Sequence, residues 1–190
     1  NDDRAAAREA QQTTTSQLEQ LEEDARQLAA LISTLEARRR ELEARATAAP
    51  AVATLSDASA GSLSWPVEGN LVYRFGTQPQ PNGTLLRWNG IGIGAPEGTA
   101  VRAVAEGRAV MAGPFEGYGP TVVLSHGGGY YTLYLYLNEI RVQEGESVSA
   151  GQIVGSVGGS RTPEGPHIEF QIRAPGGAAV DPLTWLQQRS

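Results

Sequence analysis

The chain contains no cysteine, so it can form neither a disulfide nor a thiolate metal site, and it carries no evidence about redox compartment. It also contains no lysine. All 15 basic residues are arginine, which reads as a composition bias rather than a choice of guanidinium chemistry. No apolar run approaches the roughly 20 residues needed to span a bilayer. The formal net charge of -6 argues against a non-specific nucleic-acid binder, which needs a basic stripe to neutralise phosphates. None of the 23 glycines precedes Gly61, whereas charged residues, Ala, Gln and Leu crowd the first 46 positions. Two architectures therefore share the 190 residues. The chain starts at Asn1, inside a helical pattern and without a methionine, so it is expected to be a fragment or processed form, and any signal peptide would have been lost upstream.

What is present begins with a heptad pattern. Leu21, Leu28, Leu35 and Leu42 recur every seven residues, with Leu18, Ala25 and Ile32 three residues before the first three of them. This a/d seam lets one helix bury a narrow stripe against another. The seam weakens at Arg39, which takes the next a position. The glutamates and arginines between the seam positions form a solvated outer face. The partner helix is either an identical chain or an upstream helix folding back. A coiled-coil helix is thus predicted over residues 1–46. Thr13, Thr14, Thr15 and Ser16 are its poorest stretch, because β-branched and hydroxyl side chains compete with the helix. Pro50 stops it, and residues 47–64 read as a linker or a groove-covering segment in which Val52 and Leu55 could dock.

From Trp65 onward the period changes to two, with β-branched runs separated by Gly and Pro. Strands are expected over residues 71–75, 90–93, 100–103, 107–112, 121–126, 130–137, 147–148, 153–157 and 168–173, and a short helix over 182–188. The fold class expected for residues 65–190 is mainly β, an antiparallel sandwich-like domain. Alternation in the strand over 130–137 puts Tyr130, Thr132, Tyr134 and Tyr136 on one face. Tyr131, Leu133, Leu135 and Leu137 fall on the other. The more polar face is expected to line a groove and the leucine face to enter the core.

The order of motifs from Trp65-Pro66-Val67 through Ala95-Pro96-x-Gly98-Thr99-x-Val101, Gly117-Tyr118-Gly119, His126-Gly127-x-Gly129 and Gly165-Pro166-His167 resembles the LytM (M23, lysostaphin-like) family over about two thirds of the chain. Members with activity hold zinc on a His, an Asp four residues later, and the second His of a His-x-His pair. The resemblance places those ligand positions at Trp88, Gly92 and Glu169, with the auxiliary histidine positions at Tyr136 and His167. Indole is a donor only and glycine has no side chain, so no cofactor and no metallopeptidase activity are expected. His126, the other histidine, is read as structural.

Arg87-Trp88-Asn89-Gly90 further resembles the corresponding segment of EnvC-type murein hydrolase activators, degenerate LytM proteins with a coiled coil in front. That likeness implies a non-enzymatic activator of a periplasmic N-acetylmuramoyl-L-alanine amidase in the Gram-negative envelope, serving cell division and daughter-cell separation. The coiled coil would contact the FtsE–FtsX division complex, and peptidoglycan is a further candidate ligand. Carried over residue by residue, the partner groove would include Asn89, Gly92, Tyr118, Tyr134, Tyr136, Glu169 and Arg173, residue types that concentrate binding energy at interfaces. Trp88 is expected to pack in the volume that metal and ligands would fill. Two alternatives stand beside this reading: a zinc endopeptidase with an unorthodox site, and a peptidoglycan-binding module that uses the cleft directly. An autoinhibited state, with residues 47–64 or an adjoining helix lying in the groove, is also expected.

Overall fold

A computed structural model describes residues 2–45 and 53–189; the expected docking of Val52 lies outside them. The chain begins with one helix, α1 (Asp2–Arg45), 44 residues long and uninterrupted by Gly or Pro. The threonine run is helical, with Thr13, Thr14 and Thr15 each donating a hydroxyl proton to the carbonyl four residues back, at 2.9 Å. No helix among the described residues is long and apolar enough to cross a membrane.

The rest is antiparallel β-structure: β1 (Asn70–Tyr73), β2 (Gly76–Pro79), β3 (Leu85–Trp88), β4 (Ile91–Gly94), β5 (Ala100–Arg102), β6 (Gly107–Phe115) and β7 (Gly119–Ser125). These are followed by β8 (Tyr131–Leu135), β9 (Leu137–Ile140), β10 (Ser147–Val148), β11 (Ile153–Val157), β12 (His167–Arg173) and β13 (Ala179–Val180). The main sheet runs β1-β4-β12-β8-β7-β6-β10, with β13 against the end of β12; a small sheet runs β5-β11-β9, and β2 and β3 form a separate hairpin. The mainly β, antiparallel architecture behind a long helix is the one the sequence led us to expect.

Two apolar layers lie on opposite faces of the main sheet. On one, Ile91, Ile93, Val122, Leu124, Tyr134, Ile168, Phe170 and Ile172 pack toward the small sheet with Val101, Val154 and Val157. On the other, Tyr131, Leu133, Leu135, Val123 and Tyr118 pack against Leu28 and Ile32 of α1. The heptad seam is thus buried on the domain itself: Leu28 and Ile32 are 0% and 1% exposed, whereas Leu42 at the far end is 59% exposed.

Four local expectations need correcting. The strand over 130–137 is two strands in two sheets, because Tyr136 takes φ 59°, the left-handed region, and breaks the ladder between β8 and β9. Its faces are the reverse of those expected. Thr132 and Tyr134 turn inward, where their hydroxyls lie 3.2 Å apart and the Val104 amide donates to Tyr134 Oη at 3.0 Å. The leucine face is buried by α1, a layer that alternation within one strand cannot reveal. The helix over 182–188 is a single turn at Pro182–Thr184. The hairpin β2–β3, the strand β9 and the short β13 were not anticipated.

Residues 53–64 run along the domain instead of over its cleft. Leu55 is 1% exposed in the main core, Thr54 N–H donates to the His126 carbonyl at 2.8 Å, and Leu63 bridges to Leu186. Leu55→Ala is expected to cost about 2–5 kcal/mol in chemical unfolding, and a fragment starting at residue 65 should melt well below one starting at residue 53.

Candidate functional site

The cleft-facing side of β12 carries His167, Glu169, Gln171 and Arg173, alternating with the core residues Ile168, Phe170 and Ile172 as strand geometry requires. All four polar side chains are buried, at 1%, 3%, 0% and 5% exposure. They form a ladder along the strand. Arg173 donates from Nε and Nη2 to Gln171 Oε1 at 3.1 and 2.7 Å, and Gln171 Nε2 donates to Glu169 Oε1 at 2.6 Å. Tyr73, from β1, donates its hydroxyl proton to Glu169 Oε2 at 3.0 Å and lies 3.1 Å from His167 Nε2.

Tyr73 is the residue that sequence reasoning missed, and it is central here. Its ring stacks on Trp88 at 3.7 Å between centroids, 10° from parallel, and meets His167 edge-on at 5.5 Å. A Cβ built on Gly92 would come within 2.5 Å of the Tyr73 ring. Gly92 is thus a glycine because the tyrosine occupies the space next to it. The only signal in the sequence was the conjunction of Tyr73 in a strand with Gly92 at a ligand position, and that pairing is visible only once β1 is registered on β4, where Tyr73 faces Gly92.

These residues do not fit a zinc site. Two of the three positions carry no ligand atom, Tyr73 stacks on Trp88 beside them, and among the described residues no group of three or more His, Cys, Asp or Glu is placed to hold a metal. Glu169 instead accepts hydrogen bonds from neutral donors. Its pKa is raised, foremost by burial, against the lowering effects of the Gln171 and Tyr73 hydrogen bonds and of Arg173. Burial lowers the pKa of His167 and raises those of Tyr73, Tyr118 and Tyr136. His126 is structural: its ring nitrogens lie 2.6 Å from the Glu106 carbonyl and 2.7 Å from Thr132 Oγ1, and burial brings its pKa down to about 4.

Of the expected groove residues, Asn89, Tyr118, Tyr136 and Glu169 converge with Trp88 around a cavity of about 370 Å³ between α1 and the β2–β3 hairpin. Tyr136 reaches it because of its left-handed backbone, which sets its ring 5.4 Å from Tyr118 and 5.0 Å from His167. Gly92 lies beneath Tyr73, and Arg173 further along the floor donates from Nη1 to the Gly177 carbonyl at 3.2 Å. Tyr134 does not belong to the group: it is 0% exposed in the core on the opposite face.

Helix α1 closes the cleft with two apolar and two acidic side chains at four-residue spacing. Leu28 and Ile32 cover the apolar floor. Asp24, 5% exposed, seats its carboxylate where a side chain at Gly117 would stand. Glu36, 4% exposed, pairs with Arg39 at 3.1 Å, and its charge adds to the burial that pushes the Tyr131 pKa up to about 12.

A family model described as "Peptidase family M23" matches residues 86–182. Murein hydrolase activator EnvC of Escherichia coli (strain K12) is 44% identical over 126 residues, which cover 66% of this chain and 29% of that protein. Murein hydrolase activator NlpD of Salmonella dublin is 32% identical over 140 residues, 73% of this chain and 35% of that protein. The chain therefore spans about a third of the length of these relatives. Among solved structures, the antimicrobial peptidase lysostaphin from Staphylococcus simulans superposes with a TM-score of 0.58 at 28% identity, covering 67% of this chain and 54% of that one.

Two outcomes follow from the site. Because the folded-state pKa of Glu169 is raised, its contribution to stability is fully present below the ordinary carboxylate range and is lost as pH rises through the raised value. Glu169→Gln should therefore raise the melting temperature at about pH 7 and confer no gain near pH 4. Rebuilding the ligands as Trp88→His, Gly92→Asp and Glu169→His should yield no stoichiometric zinc by metal analysis until Tyr73→Ala is added to make room.

Proposed function

The chain belongs to peptidase family M23, and we propose that its cleft is a protein-recognition surface: a non-enzymatic activator of a peptidoglycan amidase, held shut by α1. The observation that carries this reading is the double occupancy of the cleft. Tyr73 stacks on Trp88, at one of the positions where the resemblance puts a metal ligand, and Leu28 and Ile32 cover the floor beside it. A hydrolytic metal centre needs protein ligands that leave an open position for a water aimed at the substrate, and Trp88 and Gly92 supply no ligand atom. An apolar floor ringed by Tyr and Arg, by contrast, suits a protein partner.

The two relatives named as murein hydrolase activators support the same class of function. On this reading the partner is a periplasmic N-acetylmuramoyl-L-alanine amidase of the Gram-negative envelope, acting in cell division and daughter-cell separation. The exposed end of α1 is the natural handle for a regulator, for which the FtsE–FtsX complex is the candidate. Release works by population shift: a regulator that binds the undocked helix lowers the cost of opening, and the amidase then finds the floor free.

The test is dye release from labelled sacculi with candidate amidases. Leu28→Asp with Ile32→Asp places two charges on the apolar floor and leaves the β-domain unaltered. This variant, and a chain lacking residues 1–46, should stimulate the amidase several-fold more than the intact chain, a range typical of coupling between sites. Neither should release dye alone. Arg173→Ala in the released form should abolish the gain. Equal stimulation by intact and released chains would remove the closed-helix reading, and dye release without amidase would restore a peptidase.

A further inference from the structure

Glu169 is a buried acid with no cation in contact. Gln171 and Tyr73 provide one hydrogen bond to each carboxylate oxygen, about half of the acceptor positions that a carboxylate offers. The guanidinium on the same strand face, that of Arg173, donates to Gln171 Oε1 and to the Gly177 carbonyl, so its field reaches Glu169 without a bond. Among the described residues no ion pair includes Glu169, although buried charges are ordinarily paired.

The proton count around Tyr73 indicates the same deficit. His167 Nδ1 lies 2.8 Å from the Gly165 carbonyl, which can only accept, so Nδ1 carries the proton of the neutral ring. Nε2 then presents a lone pair to Tyr73 Oη at 3.1 Å, while the same hydroxyl donates to Glu169. One proton faces two acceptors. With Glu169 ionised, the cluster is short of one hydrogen-bond donor.

The carboxylate lines the cavity of about 370 Å³ together with Trp88, Tyr118 and Tyr136, whose ring faces favour a cation by their quadrupoles. Helix α1 contributes Leu21 and Ala25 to the opposite wall. Ala25 has only a methyl group, so the docked helix leaves the cavity empty. The charges that α1 brings to the mouth include Arg26, which is held by Glu23 at 2.9 Å, and they leave with the helix when it undocks.

We propose that Glu169 is the receptor for a lysine or arginine side chain of the protein that takes the helix's place on the cleft, the basic group passing between Trp88, Tyr118 and Tyr136 to end on the carboxylate. This rests on the activator reading and adds the chemistry by which the partner is recognised. Because α1 presents alanine at this point, the partner outcompetes the helix with an interaction that the helix lacks.

Two measurements decide it. The first uses the intact chain alone. Ala25→Lys should supply the missing cation from α1 and slow proteolytic cleavage of the helix about fivefold or more. Ala25→Gln should not, and Glu169→Gln should erase the gain from the lysine. A lysine no better than glutamine, or a gain that survives Glu169→Gln, overturns the cation receptor. The second measures amidase affinity by calorimetry in the Leu28→Asp, Ile32→Asp chain. Glu169→Gln should weaken binding at least about fivefold, while unchanged affinity overturns the assignment to the partner. A loss seen with an amine-bearing muropeptide and not with the amidase would move the basic group to the cell wall and overturn it as well. An amidase that binds no form of the chain would overturn the activator reading and the partner with it, while the Ala25 comparison still decides whether Glu169 accepts a cation.

Discussion

The packing of Leu28 and Ile32 onto Leu133, Leu135, Val123, Tyr118 and Tyr131 is the contact on which the rest of the molecule depends. Without it the main sheet would expose a contiguous apolar face, and α1 would be a lone helix with an unpaired stripe. Full burial of one such side chain contributes roughly 1.5–3 kcal/mol, before the cost of ordering the helix. On the proposed reading, two of them close the cleft and yield to a competing protein. Asp24, buried against Gly117, and Glu36, buried beside Arg39, flank these two residues along the helix.

Beneath that contact lies a second constraint, at the positions where the resemblance puts metal ligands. The chain stacks Tyr73 on Trp88 there and keeps Gly92 because nothing larger fits. This packing also isolates Glu169 from solvent, which is why its carboxyl titrates high and why its missing counter-charge becomes informative.

Much of this was legible in the sequence. The change of period at Trp65 separated helix from sheet, and the motif order gave the fold. The residues at the ligand positions, Trp88 and Gly92, argued against metal chemistry from their atoms alone. What the sequence could not show were relations between layers. The heptad seam was read as seeking another helix because apolar periodicity reports that a face is buried and not against what. The same blindness inverted the faces of β8: Tyr134 looked like a groove residue until the amide of Val104 and the hydroxyl of Thr132 appeared as its partners. Tyr136 reached the cleft only through its left-handed backbone, which alternation cannot anticipate. Tyr73 needed the register of β1 on β4 before it meant anything.

The central claim is that α1 and a protein partner compete for one surface, and the absence of cysteine makes that directly measurable. Spin labels on Ala29→Cys and Asn138→Cys, both exposed positions, report the separation of helix and domain by double electron–electron resonance. The account predicts one narrow, short distance in the free chain, replaced by a long and broad distribution as a stimulated amidase is added to saturation. A distance that stays short and narrow while the amidase is fully stimulated would contradict it.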